Sequence, residues 1–266
     1  MSALEQGLVV RNHQVAGDLF ILEFIAPKLA AKCEPGQFLH VRASAQHDPL
    51  LRRPISIYDV DQDLGRITLL YKVVGRGTQL LTGLKAKDYF DVMGPLGKGF
   101  RLPDHPQKVL LIGGGVGIAP LMYLARRLKE RGCAVQVLYG VASSPELVAC
   151  ERFRELGVEL GTATMDGTAG HQGLVTELLS NQLADGLELI YTCGPEIMMA
   201  AVAQFAAVHN IWGECSLEEH MACGVGACLG CARKLKLEET AYVKVCKDGP
   251  VFNMQAVELN VEGVMA

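Results

Sequence analysis

Residues 109–120 read Val-Leu-Leu-Ile-Gly-Gly-Gly-Val-Gly-Ile-Ala-Pro, and this run sets the architecture. Four consecutive apolar residues, Val109 to Ile112, suit a strand covered on both faces. The glycines that follow, among them Gly113, Gly115 and Gly117, let a backbone come close to a pyrophosphate. A helix-period segment from Pro120 to Arg131 comes next. Its N-terminus would supply free N–H groups and the positive end of the helix dipole. Pro120 takes the place of the last glycine of G-x-G-x-x-G, and the first helical turn tolerates proline. A plain strand-to-helix connection would use the same glycines, so the motif draws its meaning from its surroundings.

On the C-terminal side the rhythm continues. A second strand at Val135 to Tyr139 is followed by further alternation, then a strand at Leu189 to Thr192 and a helix from near Glu196. This pattern predicts a doubly wound parallel sheet over residues 102–212. Residues 1–101 behave differently. Short alternating runs (Leu19 to Ile25, Gln37 to Val41, Arg66 to Lys72) are cut by Pro35-Gly36, Gly65, Gly75 and Gly94-Pro95. They predict a small antiparallel β-barrel. Residues 213–266 hold a cysteine-rich lobe with short strand-like pieces such as Ala241 to Val245. The expected class is therefore a multidomain α+β and α/β chain of barrel, sheet and lobe.

Bulk properties agree. The chain has 266 residues, half of them hydrophobic and 20% charged, enough for two cores and little disorder. A net charge of −4 gives no electrostatic footprint for nucleic acid. No uninterrupted apolar run reaches the ~18 residues of a membrane span. Glu5, Arg11 and Asp18 near the N-terminus leave no signal-peptide core, so the expected location is cytoplasmic. Nine cysteines in such a chain read as metal or redox sites rather than disulfides.

Four of those cysteines carry the chemistry. Cys223, Cys228 and Cys231 are spaced C-x4-C-x2-C, and Cys246 follows after fourteen intervening residues. Three thiolates from one loop and a fourth from a separate segment suit a [2Fe–2S] cluster. The loop reads CGVGACLGC, and Gly224, Gly226 and Gly230 let it curl tightly. Four thiolates also suit zinc in a binding module, although structural zinc sites usually show two short cysteine pairs. Cys33, Cys133, Cys150 and Cys215 read as small hydrophobes, and none of the seven histidines is assigned a ligand role.

Other segments gain weight from context. Arg53-Pro54-Ile55-Ser56 offers a cation for a pyrophosphate and a hydroxyl for a flavin edge, or is simply the end of a strand. Leu70-Tyr71-Lys72, then Gly75-Arg76-Gly77-Thr78, adds an aromatic ring and a glycine turn. Cys193-Gly194-Pro195 lies at the C-terminal end of a sheet strand, where nucleotides bind, or holds a buried structural thiol. Asp166-Gly167 to Gly173 reads as a ligand-facing loop or as turn chemistry. A nicotinamide nucleotide exchanges hydride whereas an iron–sulfur cluster carries one electron, so a chain holding both needs a flavin between them. The stretch Tyr139 to Glu146 contains no arginine for a 2′-phosphate and has Glu146 as its nearest carboxylate, which favours NAD.

In this order, RPIS (53–56), YKVVGRGT (71–78), IGGGVGIAP (112–120), TCGP (192–195) and CGVGACLGC (223–231) resemble the ferredoxin–NAD(P) reductase superfamily over essentially the whole chain. More narrowly, with DGPVF (248–252) after Cys246, the chain resembles the electron-transfer subunits of two-component, NAD-dependent dihydroorotate dehydrogenases. The resemblance implies FAD at Arg53, Pro54, Ile55, Ser56, Leu70, Tyr71, Lys72, Gly77 and Thr78. It implies a [2Fe–2S] cluster on Cys223, Cys228, Cys231 and Cys246. It also implies a partner in pyrimidine biosynthesis, an FMN-bearing catalytic subunit that binds dihydroorotate, assembled two-plus-two. Electrons would pass from the partner's flavin through the cluster to FAD and on to NAD⁺. Ser56 would lie near the reactive flavin nitrogen and Cys193 on the nicotinamide side, with no residue acting as general acid or base. The alternative is a reductase subunit of a sulfide, sulfite or ferredoxin system, although all four cysteines lean toward the dihydroorotate enzyme. An appended ferredoxin domain does not fit in the 54 residues after Trp212.

Overall fold

A computed structural model describes residues 3–44, 46, 48–236 and 241–259. Residues 237–240 and 260–266 of the expected lobe lie outside the described residues.

The first part is a closed barrel of six strands, β1 (Ala3–Ala16), β2 (Leu19–Ile25), β3 (Phe38–Val41), β4 (Arg53–Asp61), β5 (Arg66–Lys72) and β6 (Tyr89–Leu96), with short helices α1 (Pro27–Ala30) and α2 (Arg76–Leu81). Neighbours run β1-β2-β5-β4-β3-β6, and antiparallel pairing of β1 with β6 closes the ring. Period-2 alternation turns Leu22, Phe24, Leu39, Val41, Ile57 and Leu69 into the interior, all of them 0% exposed. Phe24 meets Phe90 edge-on there, and Gly7 makes the room, since a Cβ at that position would sit 2.7 Å from the Phe24 ring.

The second part contributes β7 (Lys108–Gly114), α3 (Ala119–Glu130), β8 (Ala134–Val141), α4 (Cys150–Glu155), β9 (Glu159–Thr164), β10 (His171–Gln172), β11 (Leu189–Cys193), α5 (Glu196–Val208) and β12 (Trp212–Ser216). The lobe contributes β13 (Ala232–Lys234), β14 (Tyr242–Lys244), α6 (Val245–Asp248) and β15 (Val251–Asn253). The sheet order is β10-β9-β8-β7-β11-β12-β15. Its strands are parallel except β15, which pairs antiparallel with β12.

The apolar run at 109–112 explains the double winding. Val109 and Leu111 pack with Leu121, Leu124 and Leu128 of α3, while Leu110 and Ile112 pack with Met199, Val202 and Ala206 of α5. One strand thus buries both faces between helices. The expected boundary after residue 212 falls on the first residue of β12, and the cysteine lobe supplies the sheet's edge strand. Gly213 allows that junction, because a Cβ there would lie 2.5 Å from the Ile190 carbonyl and 2.6 Å from Met254.

Barrel and sheet are tied by charge as well as packing. Asp59 on β4 accepts hydrogen bonds from Arg126 Nε at 3.1 Å and from a second Arg126 nitrogen at 2.8 Å, and pairs with Arg152 of α4. The Arg152 guanidinium lies 4.9 Å over the Tyr58 ring.

Candidate flavin, nucleotide and cluster sites

A cleft opens where barrel, sheet and lobe meet. Pro54, Ile55 and Ser56 of β4 and Leu70 to Lys72 of β5 form its barrel wall. Val116 and Ala119 come from the glycine turn and the start of α3. Leu217, Glu218, Met221 and Pro250 come from the chain after β12 and from the lobe. Largely apolar and edged by a few polar groups, it suits a flavin.

Among the described residues the half-buried Ser56 hydroxyl has no protein partner, so it is free to bond a ligand edge. Tyr71 is less open than its sequence suggests. It is 2% exposed, stacks on Phe20 at 5.7 Å, and its hydroxyl bonds Asn12 at 3.3 Å. Thr78 ties its own turn: its hydroxyl accepts the N–H of Val74 at 3.0 Å and donates to the Gly75 carbonyl at 3.0 Å. Arg53 begins β4 and lays its guanidinium across Gly77, where a Cβ would come within 2.6 Å of three guanidinium atoms. Only glycine lets that cation and the α2 turn approach so closely, and a diphosphate needs both.

The second cleft lies at the C-terminal ends of β7 and β8, between Gly114-Gly115, Gly140, Thr176 and Pro195. The three motif glycines divide the work. Gly115 adopts φ +55 with nothing near a Cβ position, so it forms the open lip. Gly113 is packed against Ile118, and Gly117 would bring a Cβ to 2.6 Å from Cys193 O and Gly194 Cα. Gly194, at φ +150, approaches Gly114 in turn. The two turns therefore interlock, which is why both need glycine. Cys193 itself is 1% exposed and lines neither cleft. Burial pushes its thiol well above the ordinary value, the nearby Glu218 carboxyl adds to this, and a hydrogen bond with Ser216 opposes it. The Asp166 to Gly173 loop is held by Asp166, which accepts from Thr168 N at 3.0 Å and Thr168 Oγ1 at 2.6 Å. Met165 and Gly173, at its two ends, line the nucleotide cleft.

The cysteine loop is a cradle of N–H donors. Val225, Ala227 and Cys228 donate to Cys223 Sγ at 3.3–3.5 Å, Gly226 to Cys246 Sγ at 3.1 Å, Gly230 to Cys228 Sγ at 3.5 Å, and Cys246 to Cys231 Sγ at 3.4 Å. Gly224 and Gly226 take φ +69 and +80, which aims those N–H groups inward. The donors hold the Cys223 thiol down at about 6. Cys228 neighbours Cys223 and Cys231 neighbours Cys246, while among the described residues no three of the four thiols are drawn together into a metal-holding group. Burial, followed by the bond to Cys231, raises Cys246 to about 12. Two thiol pairs wrapped in N–H donors fit a two-iron cluster, whose sulfurs carry negative charge.

Sequence reasoning missed the cleft's third wall. Glu218 and Glu219 follow one residue after β12, past the C-terminal end of a parallel strand, and that position was the available signal. Glu218 is reached by solvent in the open cleft yet ringed by protein, and this surrounding raises its carboxyl. Water in the open cleft screens that shift.

The comparisons agree with this geometry. Residues 6–100 match the oxidoreductase FAD-binding domain, 111–204 the oxidoreductase NAD-binding domain, and 218–258 the iron-sulfur cluster binding domain of dihydroorotate dehydrogenase B. The structure of an NADH-dependent reduced ferredoxin-NADP oxidoreductase, described for flavin-based electron bifurcation, aligns with TM-score 0.85 at 29% identity over 95% of this chain and 90% of that one. A ferredoxin NADP⁺ reductase from Neisseria gonorrhoeae with bound FAD and NADP shares the fold at TM-score 0.64 and 15% identity, over 77% of this chain and 91% of its own. Barrel, doubly wound sheet and cysteine lobe define an oxidoreductase that uses FAD, NAD and an iron–sulfur cluster. The dihydroorotate dehydrogenase B (NAD⁺) electron transfer subunits of Desulforamulus reducens and a Geobacillus strain are 41% and 40% identical, over 95% and 97% of this chain and 97% and 100% of theirs. The chain belongs to that family of electron transfer subunits.

Proposed function

We propose that this chain passes electrons from an FMN-bearing catalytic subunit, which oxidises dihydroorotate, to NAD⁺ in the cytoplasm, in a complex of two copies of each subunit. One observation carries the reading: a single cleft takes its walls from the barrel, the glycine turn and the cluster lobe. FAD bound there supplies the interconversion of hydride and single electrons between nicotinamide and iron–sulfur centre. Arg53, Gly77 and the Thr78-closed turn hold its diphosphate. Ser56 bonds the flavin edge, while Val116 and Leu217 exclude water from either side. Gly115 and the Pro195 turn receive the nucleotide, and Gly117 fixes their separation. Cys193 acts as packing behind that turn rather than as a ligand.

Co-expression with the catalytic subunit tests the proposal. The complex is expected to reduce NAD⁺ with dihydroorotate, with a lower KM for NADH than for NADPH in the reverse direction. Reduction of NAD⁺ by sulfide or reduced ferredoxin, with none by dihydroorotate, would assign the chain to another electron donor.

A further inference from the structure

His40 is the least expected side chain in the molecule. It sits on β3, is 0% exposed, and neither ring nitrogen has a hydrogen-bond partner among the described residues. On β3, Leu39 and Val41 point into the barrel, which turns Phe38 and His40 outward. That outer face seats the cluster lobe. Phe38 packs in one cluster with Cys231 and Cys246, and Met93, which pairs with His40 across β6, packs there too. The Nδ1 edge of His40 lies against the cysteine loop, since a Cβ on Gly224 would fall 2.6 Å from Nδ1. On its other side His40 pairs with Pro54 of the flavin wall.

Burial, reinforced by Arg52 and Arg53, drives the His40 value down to about 4, so the ring is neutral at physiological pH. The Arg52 backbone comes near the ring, but no group meets it in hydrogen-bond geometry among the described residues. A neutral imidazole has one N–H donor and one acceptor nitrogen. Leaving such a group unpaired in the interior costs about 1–3 kcal/mol. A leucine would fill the same space without that cost. No protein group in hydrogen-bond geometry satisfies the polar ring among the described residues, and the adjoining loop carries three of the four cysteine sulfurs, with Cys246 of α6 beside them. Six backbone N–H groups already point at those sulfurs.

We propose that His40 is a positioning residue whose Nδ1–H donates a hydrogen bond to sulfur of the iron–sulfur centre beside Cys223, fixing the loop against β3. The inference rests on the cluster reading above. An N–H donor withdraws charge from sulfur and so favours the reduced state, which makes its loss lower the reduction potential.

The test uses the assembled complex and EPR-monitored redox titration. His40→Leu removes the donor and His40→Asn keeps an amide N–H near the Nδ1 position. We expect native iron content in both, a cluster potential shifted lower with altered g-values in His40→Leu, and a return toward the native potential in His40→Asn. In native protein labelled with ¹⁵N-histidine, pulsed EPR of the reduced cluster should show a weak ¹⁵N coupling that His40→Leu abolishes. If His40→Leu cannot hold iron, retention of iron by His40→Asn together with the ¹⁵N coupling in native protein supports the hydrogen bond in its place. A native potential in His40→Leu, loss of iron from both variants, or no ¹⁵N coupling in native protein would overturn the proposal. A native complex with no EPR signal on reduction would instead remove the cluster itself.

Discussion

Gly77 and Cys223 each make a testable claim about the proposed FAD and cluster sites. A Cβ on Gly77 would lie 2.0 Å from Arg53 Nε, so Gly77→Ala must displace the guanidinium or the α2 turn. We expect FAD affinity to fall by at least about tenfold, the equivalent of roughly 1.4 kcal/mol, when the stripped chain is titrated with FAD. Native affinity would mean that Arg53 does not face the diphosphate. Cys223 makes a pH prediction. Its folded value, about 6, lies below the ordinary 9.0, so the bonds from Val225, Cys228 and Ala227 to the thiolate stabilise the loop fully above pH 9. That contribution is lost as pH falls through about 6. In the metal-free chain, alkylation of Cys223 should reach half its maximal rate near that pH, while buried Cys193 and Cys215 stay unmodified. A half-point near 9 would contradict the donor cradle.

Barrel and sheet share a packed core, and Asp59 on β4 adds a charged tie between them. It is joined by Arg126 of α3 and Arg152 of α4, with its side chain 16% exposed. Asp59→Ala leaves two cations facing each other without their carboxylate, at a cost of about 2 kcal/mol. The expected outcome is a lower Tm, because this joint ties barrel to sheet. An unchanged Tm would reduce the pair to a surface contact. This joint was invisible in the sequence, since no local pattern couples Asp59 to residues 67 and 93 positions away. By contrast the run 109–120 announced β7, its glycine turn and α3, because both the burial of β7 and the approach of the turn are local demands. The C-x4-C-x2-C loop was equally legible. The joins were not: β15 completes a sheet begun some 140 residues earlier, Glu218 and Pro250 close the cleft from the lobe, and His40 looked like any lone histidine. Each depends on which distant surface lies opposite, and one-dimensional periodicity carries no record of that.

Across the whole molecule, one side of the cysteine loop reaches the surface. Cys228 is exposed, and its neighbours Val225 and Leu229 are 49% and 63% exposed. Leu229 also holds φ +60, a conformation that bulky side chains seldom adopt. An apolar rim beside a redox centre suits contact with the catalytic subunit, which the family name requires. Leu229→Lys is expected to weaken subunit assembly at least about tenfold by native mass spectrometry while the visible spectrum stays native. Assembly unaffected by this change would place the interface elsewhere. The central claim is that one cleft joins nucleotide, flavin and cluster in a single relay, and anaerobic titration of the purified chain with NADH, followed by EPR, tests it most directly. The account predicts that NADH alone brings up the signal of a reduced [2Fe–2S] cluster once flavin absorbance has bleached. A cluster that dithionite reduces but NADH leaves oxidised, with FAD bound, would contradict it.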